Sequence, residues 1–126
     1  MTLGMMHPYF FPYLGYFALM KHTDTWVVSD NLQFMRHCWI ERNRILKPAD
    51  GWQYIRVPLE KFPYQTPISE TKIRNHCDWK GKIFRQLEHY KKKAPYYHQV
   101  IDLLKDVLSV NTTSIVEMDM RGLKMV

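Results

Sequence analysis

LGMMHPYFFPYLGYFALMKHTDTWVVSD, residues 3–30, contains an apolar run, an aromatic turn with two prolines, a helical stretch and a second apolar run, in that order. Residues 3–6 are stopped by His7-Pro8, and a proline pushes the residue before it toward extended geometry, so a strand leading into a loop is expected. Tyr9-Phe10-Phe11-Pro12-Tyr13 is the loop. Residues 14–22 predict a short helix with Leu14, Phe17 and Ala18 on one face and a polar end at residues 21–24. Trp26-Val27-Val28 predicts a second buried strand that stops at Ser29-Asp30-Asn31. Strand, loop, helix and strand in this order open a parallel unit, and the fold class expected is α/β.

Working outward, residues 39–46 alternate as a strand does, Lys47-Pro48-Ala49-Asp50-Gly51 is turn chemistry, and residues 52–57 alternate again, which predicts a hairpin. Residues 59–69 hold Pro63 and Pro67 and read as an irregular loop before a short edge strand at 71–74. Asp78 caps a predicted helix with Trp79, Ile83, Leu87 and Tyr90 on one face. Pro95 opens another, with Tyr97, Val100, Ile101, Leu104, Val107 and Leu108 at helical spacing. Ser114 and Glu117 form a capping-box pattern ahead of a third helix carrying Ile115, Met118 and Leu123. These helices are expected to pack the core. The chain stops on the apolar Met125-Val126 with no C-cap, and so reads as one domain over residues 1–126, truncated at its C-terminus.

With 126 residues, 46% of them hydrophobic and 24% charged, the composition is that of a globular domain. The longest mainly apolar stretch is broken by Pro12 and Gly15 and is too short to span a membrane, and neither a secretory signal nor a transmembrane helix is expected, so a cytoplasmic protein is expected. Cys38 and Cys77, the only two cysteines, lie far apart and suit a reducing compartment. A formal charge of +6 attracts anions of several kinds.

Two constellations carry chemistry. Residues 7–17 place aromatic rings on a loop stiffened by Pro8 and Pro12, just past a strand, where α/β sheets commonly bind ligands. These rings either wall a pocket or simply pack a small core. Asp30, Gln33, Trp39 and Arg42-Asn43-Arg44 then bring a carboxylate, two amides and two guanidiniums between predicted strands. Arg42 and Arg44 share a strand face and suit a carboxylate or phosphate, and Asp30 suits a base or an orienting group. The alternative is an ordinary charged hairpin face. His37-Cys38 and His76-Cys77 make a poor zinc site, because adjacent strand residues point to opposite faces, and no metal is expected. The lysine-rich positions 80–93 are better read as a solvated helix face than as a nucleic-acid footprint, because the helix aromatics lie on the buried side.

His7-Pro8-Tyr9-Phe10-Phe11-Pro12-Tyr13-Leu14-Gly15-Tyr16-Phe17, then Asp30, Gln33 and Trp39-Ile40-Glu41-Arg42-Asn43-Arg44-Ile45, then Lys92-Lys93-Ala94-Pro95-Tyr96-Tyr97, resemble the WbqC-like family in order and spacing over essentially the whole chain. Members are usually longer, which agrees with a missing C-terminal part. The family is associated with bacterial O-antigen and surface-polysaccharide gene clusters. The resemblance implies an enzyme acting on a nucleotide-linked amino sugar, with transfer of an acyl or aminoacyl group from acyl-coenzyme A or a similar donor. Asp30 and His7 would then serve as base, Arg42 and Arg44 would hold the anionic part, Asn43 and Gln33 would read hydroxyls, and Tyr9, Tyr13 and Trp39 would stack. This sequence departs from the family, which commonly has glutamine at His7, an acidic residue at Ser29, glycine near Cys38 and asparagine near Glu41. Two other classes remain open: a non-catalytic sugar-nucleotide-binding or scaffold protein of the same pathway, and a basic nucleic-acid-binding domain.

Overall fold

A computed structural model describes residues 1–126. β1 (Leu3–Met6) and β2 (Thr25–Val28) pair in parallel, with Leu3 opposite Thr25 and Met6 opposite Val28, and α1 (Leu14–Lys21) lies between them in sequence. Gly4 is the register partner of Trp26, and a side chain at Gly4 would run into the indole ring, so the close approach requires glycine. β3 (Arg42–Leu46) and β4 (Trp52–Arg56) form an antiparallel hairpin, and Gly51 in its turn has φ +85. The chain is α/β, with these two pairs forming separate two-stranded sheets.

α2 (Trp79–Leu87), α3 (Tyr97–Leu108) and α4 (Ile115–Met125) follow. The Asp78 carboxylate caps α2 by accepting from Gly81 N at 3.1 Å. The Ser114 hydroxyl caps α4 by accepting from Glu117 N at 3.2 Å. The reciprocal half of the capping box is diverted: Glu117 accepts from the Thr112 hydroxyl at 2.7 Å, and Ser114 N donates to that same hydroxyl at 3.1 Å. A core of 13 buried residues joins Phe10, Phe34 and Ile40 to Ile55 and Val57 of the hairpin region and to Ile83, Val107, Ile115 and Met118 of the helices. No helix is long and apolar enough to cross a membrane.

Four local expectations are corrected. Residues 39–41 bend instead of extending β3: Glu41 O still accepts from Val57 N in the hairpin register, but the Trp39 carbonyl is taken by Phe10 N of the aromatic turn. Residues 71–74 make single bridges, Lys72 to Ser114 and Ile73 to Leu59, instead of an edge strand. On α1 the buried side chain is Tyr16, and Leu14 stands 86% exposed. On α3 the buried stripe is confined to Leu104, Val107 and Leu108, and Val100 is exposed.

Candidate functional site

The aromatic turn is held from three sides. Phe10 N donates to Trp39 O at 2.9 Å, which fastens the turn to the bend before β3. The Asn43 side-chain NH2 donates to the carbonyls of Phe10, at 3.2 Å, and Phe11. Phe11 has φ +49, unusual for a residue with a bulky side chain, and the two bonds from Asn43 hold this conformation in place. The Asn43 carbonyl accepts from Arg44 N at 2.8 Å, so all of this amide's bonding is within the chain. On the α1 side, the Tyr16 hydroxyl donates to His7 O at 2.9 Å and its ring lies 5.3 Å from that of Tyr9. Burial, with Asp119 and Tyr9 nearby, pushes the Tyr16 hydroxyl up to about 12, so it stays a donor.

The turn and the hairpin enclose a cavity of about 240 Å³ lined by Tyr9, Pro12, Tyr13, Trp39, Asn43 and Arg44. Five of the nine residues singled out from the sequence thus share one wall. Arg44 lies over Trp39 and Trp52, 5.1 and 5.0 Å from the ring centroids. Arg42 lies over Tyr54 at 4.3 Å and Trp39 at 5.8 Å, and its Nε donates to Cys38 O at 3.1 Å. Arg56 lies over Tyr54 at 5.2 Å. The result is a ladder in which guanidiniums alternate with rings along one hairpin face.

The remaining four residues lie elsewhere. His7 and Asp30 both leave the carboxyl end of the parallel pair, because Met6 is level with Val28 and Ser29 N donates to Met6 O at 2.8 Å. Gln33 donates from Nε2 to Tyr64 O at 2.9 Å and forms a bridge with Pro67, tying two loops together. Arg42, buried in the ladder, opens instead onto a larger cleft of about 600 Å³, which Arg36, His37, Glu41, Arg56 and Lys61 also line. The two His-Cys dipeptides do not meet, and no three His, Cys, Asp or Glu side chains cluster as a metal site requires.

Sequence reasoning missed Asp119. It is 1% exposed, and neither carboxylate oxygen has a hydrogen-bond partner. Burial and the proximity of Glu41 raise its carboxyl well above the ordinary range. Burial also raises Glu41, although Arg42 and Arg56 pull it the other way. A signal was present: Asp119 sits four residues after Ile115 and four before Leu123, on the stripe that α4 buries.

The WbqC-like protein family matches the chain over residues 7–126. Over 99 residues the chain is 32% identical to the uncharacterized protein Rv1507c of Mycobacterium tuberculosis, a match covering 78% of this chain and 42% of that protein. It therefore spans less than half the length of this relative. No solved structure matches it. The family match takes in the aromatic turn, the hairpin ladder and α4 together, and the chain belongs to the WbqC-like protein family.

Proposed function

We propose that this chain is part of a cytoplasmic enzyme of bacterial surface-polysaccharide biosynthesis that binds a nucleotide-linked amino sugar and transfers an acyl or aminoacyl group to its amine. The observation that carries this reading is the 240 Å³ cavity, where Tyr9, Tyr13 and Trp39 offer faces for a sugar ring beside the Arg44 guanidinium. Asn43 serves by holding the turn, and Arg42 serves from beyond Trp39. In the transfer, the amine nitrogen bonds to the carbonyl carbon of an acyl thioester, the carbon–sulfur bond breaks, and the thiolate leaves. Asp30 or His7 takes the proton lost by nitrogen and returns it to the thiolate.

The test offers nucleotide amino sugars to the chain with and without acyl-coenzyme A, following thermal stability and then product mass. A ligand at about 100 times its dissociation constant stabilises by about 2.7 kcal/mol. Stabilisation by the sugar together with an acylated product supports the reading. Binding without product for any donor assigns the protein a carrier or scaffold role. Binding only to oligonucleotides, lost as salt rises, removes the glycan reading altogether.

A further inference from the structure

We propose that the larger cleft on the other side of Trp39, lined by Arg36, Arg42, Arg56 and Lys61, binds the diphosphate of an organic ligand. Arg42 and Arg56 are direct cross-strand partners on the hairpin, a like-charge pairing that is unfavourable unless something neutralises it. The chain has a single ion pair, Arg85 with Asp78, so neither arginine is held by a carboxylate within bonding distance. Aromatic faces position the guanidiniums instead: Tyr54 lies beneath Arg42 and Arg56, and Phe62 lies 5.3 Å from Arg36. Apart from Arg42 Nε, which donates to Cys38 O, the guanidinium donors have no partner within the chain, which is how guanidiniums are presented to phosphates.

The cleft carries four cationic side chains against the two carboxyls of Glu41 and Glu60, and burial of Glu41 favours its neutral form. Its volume of about 600 Å³ exceeds what one phosphate fills, and Phe34, Leu59 and Phe62 give it an apolar wall for the attached organic group. Cations spread across the two hairpin strands and the loops before and after them suit two linked phosphates better than one. Both a nucleoside diphosphate sugar and coenzyme A carry this chemistry. The inference deepens the reading of the smaller cavity by placing the diphosphate, but it stands on different residues.

Calorimetric titration of the 126-residue chain with inorganic pyrophosphate tests it. Saturable binding is expected, weakened roughly tenfold by Arg36→Gln and by Arg56→Gln and unchanged by Arg85→Gln, with circular dichroism reporting the fold of each variant. Arg36 and Arg56, unlike the buried Arg42, are exposed, so these substitutions leave the core intact. A uridine diphosphate amino sugar and coenzyme A are then used as competitors. Displacement by the first assigns the cleft to the acceptor, and displacement by the second assigns it to the donor. No pyrophosphate binding, binding indifferent to both arginines, or displacement by neither competitor overturns the proposal. If Trp39→Ala leaves sugar binding unchanged, the smaller-cavity reading fails while the pyrophosphate result stands.

Discussion

Asp119, buried on α4 with both oxygens unpartnered, lies within electrostatic reach of Glu41, and burial first, then this second carboxyl, disfavours its ionisation. The folded Asp119 therefore holds its proton to higher pH than the unfolded chain does. Stability is then fully present at acid pH and falls as pH rises above about 4, by up to about 1.4 kcal/mol per pH unit until the folded group ionises. Asp119→Asn removes this slope. The variant should match the parent near pH 4 and exceed it increasingly toward pH 8 in urea midpoints; parallel curves would show that the carboxyl ionises alike in both states.

Asn43 holds the aromatic turn through two carbonyls, and the two obvious substitutions should differ in cost. Asn43→Ala leaves both carbonyls without a donor and should cost about 1–3 kcal/mol. Asn43→Asp also sets a carboxylate against them and should cost more. Chemical denaturation orders the variants, and an aspartate as stable as the alanine contradicts this account of the turn.

Trp39 lines the smaller cavity and separates Arg42 from Arg44. Trp39→Ala should weaken nucleotide amino sugar binding about tenfold or more, because a stacking face and the support of two guanidiniums are lost together. Titration calorimetry with the fold checked by circular dichroism reads this directly.

His7 and Asp30 share the carboxyl end of the β1–β2 pair. In the transfer proposed above, Asp30→Asn and His7→Ala should each lower turnover by about 10²–10⁴-fold if that residue is the base, with little change in sugar affinity. Equal turnover in both variants assigns the proton to another group.

Gly4→Ala places a methyl group against the Trp26 ring. Overpacking of this kind costs about 1–3 kcal/mol. Thermal melts should show the loss, and Gly51→Ala gives a comparison in which the cost comes from positive φ in an open turn, with no neighbouring atoms.

Much of this was legible in residue order. The run from Leu3 to Val28 announces strand, turn, helix and strand because Pro8 and Pro12 punctuate it, and Asp78 and Ser114 announce the helix starts they cap. What stayed hidden depends on distant partners. Alternation suggested a strand from Trp39, but the carbonyl of Trp39 is taken by Phe10, which local pattern does not report. Arg42 and Arg44 were legible as facing the same way. The rings between them were not, because Trp52 and Tyr54 come from the opposite strand. Asp119 was read past because polar residues on amphipathic helices ordinarily face water.

The guanidinium–ring ladder also has an optical consequence. Two of its rungs, Trp39 and Trp52, are indoles in contact with Arg44. A cation over an indole face perturbs the excited state, so any anion that draws Arg44 or Arg42 away from its ring must change the emission of that tryptophan. The smaller cavity thus carries its own fluorophore in Trp39, and the larger cleft is joined to the same indole through Arg42, so unlabelled ligands can be followed by the light the protein already emits.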